Sequence, residues 1–257
     1  MPDKESDKFI TSNILEGFIS IRSLIEAREA KINDRPIYKV VYDITKTVSK
    51  QRELNFLYSK AASNSYTIEA VEHDVIENQT IGNTHGGIIA ICGDRDLCPI
   101  AGNILPHSFY IMLEGMEDPY NFGYALRSIY AAGAAGVVLT PRNWMGAAGV
   151  VCRSSAGASE LIPMYISDGA EAAQLFKAAG YKIICAEKRN AISVYESDLR
   201  FPVFLIIGGE KRGISRSLLD TADMFVKLDY GRLFKPALSA SSAASILAYE
   251  VLRQNRV

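Results

Sequence analysis

The run Asp118-Pro119-Tyr120-Asn121-Phe122-Gly123, with Arg127 shortly beyond, sets an amide and a guanidinium near one helix start. An amide can orient a polar partner, and a guanidinium grips phosphate or carboxylate through paired hydrogen bonds. Six residues separate Asn121 from Arg127, about 1.7 helical turns, so the two side chains leave different faces but stay near one mouth. A second run, Leu205-Ile206-Ile207-Gly208-Gly209-Glu210-Lys211-Arg212-Gly213, breaks an apolar strand into a glycine-rich loop holding one carboxylate beside two cations. Glycine lets backbone come close to a ligand. A third run leads from Leu228 through Leu238 and Ser239 into a helix rich in Ala and Ser, suited to close packing. A fourth, Ser154-Ser155-Ala156-Gly157-Ala158-Ser159-Glu160-Leu161-Ile162-Pro163, mixes small residues ahead of a strand and says little alone. Each run also has a plain reading: a cap with a surface arginine, a solvated turn, a tightly packed helix.

Other chemistries lack their residues. No G-x-G-x-x-G follows a strand, so a dinucleotide fingerprint is missing. Gly208 to Gly213 has P-loop spacing, but Ile214 stands where that loop needs Lys. Ser154 and Ser155 lack the glycines of a nucleophile elbow. His73, His85 and His107 show no ligand spacing and read as surface or loop residues. The four cysteines, Cys92, Cys98, Cys152 and Cys185, have no Cys-x-x-Cys spacing, so neither metal binding nor a disulfide framework is expected. A reducing cytoplasm fits them. No apolar run reaches the ~18 residues of a membrane span. The charged stretch Met1–Lys8 has no apolar segment behind it, so no signal peptide is expected.

The elements that must position these runs fall into two parts. In 1–105 the apolar spacing of Ile14, Phe18, Ile21, Leu24 and Ile25 predicts a helix. A strand follows over 37–42, a helix over 51–62 capped near Ser49, and strands over 66–71 and 87–92. The Gly/Asp/Pro-rich stretch 92–106 reads as a linker, with the boundary near 105. In 106–257 strands are predicted over 109–113, 136–139, 162–165, 182–185, 203–207 and 225–228. Helices are predicted over 121–132, with Asn121 as cap, 169–179 and 237–254. Short apolar strands alternating with helices mean a parallel sheet covered on both faces, with ligands outside its carboxyl edge. Net charge is −1, with 12 Lys/Arg against 15 Asp/Glu in 1–106 and 16 against 14 in 107–257. Any nucleic-acid field must therefore be local, and Arg142, Arg153, Lys211, Arg212, Arg216 and Lys235 are expected to form its basic rim.

Taken together and in this order, the runs resemble the SpoU (TrmH-type) family of the SPOUT methyltransferases. The first motif looks like Asp118-Pro119-x-Asn121-x-Gly123 with Arg127, the second like Gly208-x-Glu210-x-x-Gly213, and the third like the loop from Leu228 into the last helix. The run 155–163 matches as well. Ile14-Leu15-Glu16-Gly17 and His85-Gly86-Gly87-Ile88-Ile89-Ala90 resemble the small substrate-recognition domain, similar to ribosomal RNA-binding proteins, that many members carry.

The resemblance implies an α/β chain: a smaller ribosomal-protein-like RNA-binding domain at 1–105 and a parallel-sheet SPOUT domain with a trefoil knot at 106–257. It implies a homodimer that transfers methyl from S-adenosylmethionine to a ribose 2′-hydroxyl of structured rRNA or tRNA, without metal. By carry-over, Gly208, Leu228, Leu238 and Thr140 would hold the cofactor, and Asn121, Arg127, Glu210 and Ser239 would form the catalytic side. The family account makes the arginine a base. A guanidinium stays protonated, so Arg127 is read instead as clamping the adjacent phosphate and stabilising the developing alkoxide while water or phosphate takes the proton. Two departures stand out: Ala237-Leu238-Ser239 where the family usually has Ser-Leu-Asn, and Asp229 where it often has Pro. They motivate an alternative, a non-catalytic RNA-binding protein on the same scaffold. A base methyltransferase of another SPOUT branch is disfavoured by Asn121 and Arg127.

Overall fold

The computed structural model describes residues 13–81, 84–100, 104–140 and 147–256. The chain runs through β1 (Ile14–Glu16), α1 (Phe18–Glu29), β2 (Ile37–Asp43), α2 (Gln51–Asn64), β3 (Thr67–Val71), α3 (His73–Glu77) and β4 (Ile88–Cys92). It continues through β5 (Cys98–Pro99), β6 (Phe109–Glu114), α4 (Pro119–Ala131), β7 (Gly136–Leu139), α5 (Ala148–Ser154), α6 (Ala158–Leu161), β8 (Met164–Ile166) and α7 (Gly169–Ala178). It ends with β9 (Lys182–Ala186), β10 (Ile192–Ser193), β11 (Val203–Gly208), α8 (Arg216–Leu219), β12 (Met224–Lys227) and α9 (Ala240–Asn255).

Two compact units result, 1–96 with 143–161, and 97–142 with 162–257. They do not coincide with 1–105 and 106–257, because 97–105 count with the second unit and 143–161 return to the first. The first unit has a four-stranded mixed sheet in the order β1-β4-β2-β3, antiparallel at β1–β4 and β2–β4 and parallel at β2–β3. Its core holds Leu15, Ile21, Leu24, Ile25, Val40, Leu54 and Leu57, with Cys152 from α5 among them. Each such aliphatic, taken from water, contributes about 1.5–3 kcal/mol. Several expectations change here. Ile14 lies in a strand, not a helix, because Gly17 at φ +84° turns the chain before α1 starts. The residue ahead of α2 is Lys50 with no side-chain cap, and the Ser49 hydroxyl donates to the Lys46 carbonyl instead. His85 is in a turn but buried, its Nδ1 accepting from the Gly87 N–H at 3.1 Å.

The second unit is built on eight strands in the order β10-β12-β9-β11-β6-β7-β8-β5, every pairing parallel. Parallel strands carry side chains into helices on both faces, which is why β6, β7 and β11 are apolar almost throughout. On one face Phe176 of α7 stacks on Phe204 of β11 at 4.0 Å, with Tyr110 of β6 at 4.9 Å. α9 packs against α4 and β11. The cap of α4 is Asp118, which accepts the Asn121 N–H at 2.7 Å with Pro119 in the first turn, so the Asn121 side chain is left free of capping. That is the usual order of acidic cap and following proline. Among the described residues no helix is long and apolar enough to cross a membrane, and no group of three His, Cys, Asp or Glu could hold a metal. The four cysteines are free, and burial pushes the Cys92 and Cys185 thiols up to about 12, so both stay protonated.

Candidate cofactor pocket and active site

The pocket forms where three neighbouring strands of the second unit end. β9 finishes at Ala186, β11 at Gly208 and β12 at Lys227, and their carboxyl ends open on one cavity of about 280 Å³. Ile207, Gly208, Gly209, Glu210, Gly213 and Ile214 make one wall. Val226, Lys227, Leu228, Tyr230, Ala237 and Leu238 make another, and Ala240, Ala243 and Leu247 of α9 close the floor. The small residues of α9 thus have a use beyond packing, since larger ones would fill the space. Ala186, Glu187 and Lys188 complete the lining. Their position carries no local motif, although the rule that parallel sheets bind at their carboxyl edge points to them.

The glycines of this loop serve backbone-to-backbone contact. A Cβ on Gly209 would lie 2.1 Å from the Gly115 carbonyl oxygen, and one on Gly208 would lie 2.4 Å from the Gly213 carbonyl carbon. The Gly209 N–H donates to the Glu114 carbonyl, and the Ser215 N–H donates to the Glu114 carboxylate at 2.8 Å. The loops after β6 and β11 are therefore locked together. Their junction opens a second cavity of about 310 Å³, which runs from Gly115 and Met116 past Asp118 and Asn121 to Glu210 and Lys211. Across it the Asn121 amide donates to the Glu210 carboxylate at 3.4 Å. Glu210 lines both cavities and is exposed.

Of the residues singled out from sequence, Gly208, Leu228, Leu238 and Glu210 meet at the first cavity, and Asn121 joins Glu210 at the second. Arg127, Thr140 and Ser239 line neither. Arg127 is exposed on α4 and, among the described residues, makes no hydrogen bond or ion pair. It shares one stripe with the exposed Tyr124 and Tyr130, three residues to either side. Thr140 follows the end of β7. Ser239 is the N-cap of α9, its hydroxyl accepting the Ser242 N–H at 3.2 Å and meeting the Ser241 hydroxyl at 3.0 Å. Several expected rim cations are engaged: Lys211 by Glu117, Arg216 by Asp220 and, in the first unit, Arg153 by Glu16. Arg142 lies outside the described residues.

Comparison with known proteins adds an independent finding. Residues 108–249 match the SpoU rRNA Methylase family. A Staphylococcus saprophyticus protein assigned to the TrmH family of tRNA/rRNA methyltransferases is 28% identical over 235 residues, 88% of this chain and 92% of its own. The 23S rRNA (guanosine-2′-O-)-methyltransferase RlmB of Shewanella oneidensis is 26% identical over 80% of this chain and 86% of its own. Among solved structures, AviRb of Streptomyces viridochromogenes, a SpoU methyltransferase in complex with AdoMet, superposes with TM-score 0.73 at 21% identity, over 94% of this chain and 89% of that one.

Proposed function

The chain belongs to the SpoU rRNA methylase family, and from that premise we propose that it transfers a methyl group from S-adenosylmethionine to a ribose 2′-hydroxyl of a structured rRNA or tRNA. The observation that carries the reading is the convergence of 207–214 and 226–238 on one cavity, with Asn121 joined to Glu210 at its neighbour. The donor set suits this cofactor. Apolar walls from Ile207, Leu228 and Leu238 suit a nucleoside ring, while Lys227 together with Glu187 and Glu210 puts both signs of charge on the lining. An amino-acid tail carrying carboxylate and amine, beside a sulfonium, needs both signs. Bound there, S-adenosylmethionine supplies an electrophilic methyl group. Gly208, Leu228 and Leu238 would hold it by backbone groups and apolar contact, and Thr140 remains a candidate from the end of β7.

The chain's own groups do the rest. Asn121 and Glu210 fix the two motif loops against each other and orient the hydroxyl. Arg127 clamps the neighbouring phosphate and stabilises charge growing on the ribose oxygen. The hydroxyl proton passes to water or phosphate, because guanidinium cannot accept it. Ser239 acts by shaping the start of α9. A homodimer is part of the proposal. Tyr124 and Tyr130 of α4 and Ile246 and Tyr249 of α9 are exposed on two helices that pack together, a face that a second copy would cover. That would set Arg127, on the same stripe, at the subunit boundary. The trefoil knot, the cytoplasmic setting and RNA recognition by the first unit belong to the same proposal.

Arg127→Lys keeps the charge and loses the fork, so turnover on RNA should fall by about 10²-fold or more, as when one preorganised donor is removed. Near-normal turnover would remove the clamp. Calorimetry with S-adenosylmethionine separates the non-catalytic alternative, which predicts no binding. Nuclease digestion of methylated RNA should release a nucleoside modified on ribose and not on base.

A further inference from the structure

Among the described residues many surface cations are spent on neighbours. Lys39 pairs with Glu69, Lys60 with Glu29, Lys177 with Asp223, and Lys182 and Arg200 with Asp198. Around the loop 229–236 the pattern breaks. Lys188, Arg189, Arg232 and Lys235 are exposed, and among the described residues they make no ion pair. The two nearby acids are occupied, since Asp229 faces Lys227 at 3.9 Å and the Glu187 carboxylate accepts the Lys188 N–H at 2.6 Å. Within this positive rim the loop lifts two apolar side chains into solvent, Leu233 at 98% exposure and Phe234 at 53%.

The loop is built, and it is tied to the pocket. Phe234 leans on the Tyr230 ring at 5.9 Å and 57°. The Tyr230 hydroxyl accepts the Leu238 N–H at 3.1 Å, and both residues line the cofactor cavity. Lys188 lies 5.6 Å over the other partner of the pair, Tyr230, and donates to the Lys235 carbonyl at 3.2 Å. An aromatic face held by the pocket wall and ringed by unneutralised cations is the arrangement that binds unpaired nucleotides, because any base can stack while its phosphates meet charge.

We propose that the loop 229–236 is a stacking platform for an unpaired nucleotide flanking the methylated ribose, with Phe234 under the base and Lys188, Arg189, Arg232 and Lys235 on the phosphates. This deepens the RNA methyltransferase reading and rests on it for the identity of the ligand. The platform also makes the enzyme select single-stranded loops or ends over duplex, whose bases are already stacked.

The test measures fluorescence anisotropy of the full chain with a labelled oligouridylate about a dozen nucleotides long, within the span such sites cover, and with a blunt RNA duplex of equal length. Phe234→Ala should weaken oligouridylate binding by about 5- to 100-fold, Phe234→Trp should restore it, and the duplex should bind more weakly than the single strand. S-adenosylmethionine affinity, read by calorimetry, should be unchanged in Phe234→Ala. Equal oligouridylate affinity in Phe234→Ala and the parent chain would overturn the platform while leaving the methyltransferase reading intact. Absence of S-adenosylmethionine binding in the parent chain would count against that reading alone. Conversion of a dimer into a monomer by Phe234→Ala, seen in sedimentation, would make the loop a subunit contact and also overturn the platform.

Discussion

Glu160 and Glu210 both sit in runs of small residues, and the chain treats them in opposite ways. Glu160 of the first unit is 3% exposed, ion-paired to Arg35 at 3.2 Å, and accepts from the Asn33 amide at 2.7 Å and the Ser159 hydroxyl at 3.2 Å. Arg35 is 2% exposed and spends its Nε on the Gly93 carbonyl. Each polar group there is answered by protein. Glu210 of the second unit is exposed and has one long bond, from Asn121. Burying a charge costs several kcal/mol and is tolerated only when geometry is complete. An exposed carboxylate at a cavity mouth leaves lone pairs for a ligand. The difference separates a carboxylate that holds the fold from one available for chemistry, although both stand in runs that resemble family motifs.

The largest effect should come from breaking the buried pair. Glu160→Ala leaves the Arg35 guanidinium buried without a counter-charge, which costs about 3–5 kcal/mol. Glu210→Ala should stay within about 0.5 kcal/mol of the parent chain, as surface changes do, while lowering methyl transfer. Urea denaturation of the two variants side by side checks this. Similar midpoints would erase the distinction drawn between the two carboxylates.

Ser239 falls between these cases and sharpens the comparison. Its hydroxyl answers the backbone at the start of α9, so Ser239→Ala should cost about 1 kcal/mol, the usual value of a lost N-cap. Ser239→Asp can cap as well and should recover that stability. If Ser239→Asp instead stays as unstable as the alanine variant, the hydroxyl has some other task.

Much of this was legible locally. Apolar runs locate β6, β7, β9, β11 and β12, and the Gly-Gly-Glu loop marks where β11 must end. The pairing of Glu160 was not. Its partners Asn33 and Arg35 lie more than a hundred residues earlier, so nothing near 160 shows that 143–161 belongs with the first unit. The site was legible in its loops and not in its far wall, where Ala186, Glu187 and Lys188 line the cavity through strand position alone. Ser239 illustrates the remaining ambiguity: a hydroxyl before a helix serves as a cap or as a site residue, and only its hydrogen bonds distinguish them.

The smallest effect belongs to a charged cluster in the first unit that is neither fully buried nor open. His73 Nδ1 lies 2.9 Å from the carboxylate of the buried Asp43, its Nε2 lies 3.5 Å from Glu77, and the buried His85 stands 3.1 Å from the same Glu77. The hydrogen bond to Asp43, aided by the charges of Glu77, Asp43 and Asp74, raises the His73 pKa above its usual value. Burial pulls Asp43 upward, but its hydrogen bonds to Thr45 and His73 outweigh this and hold it low. A raised histidine adds stability that is complete below its unfolded value, about 6.5, and is lost as pH climbs through the folded one. A lowered aspartate adds stability present above about 3.9 and lost as pH falls through its folded value. The pair therefore contributes most between about pH 4 and 6.5. Because His73 is largely exposed, solvent screens the effect, and the melting temperature should drop by only about 1 °C between pH 6 and pH 8 from this source. His73→Gln should remove that increment, read by differential scanning calorimetry at both pH values. An increment that persists in the variant would show that the pH dependence does not come from the His73–Asp43 pair.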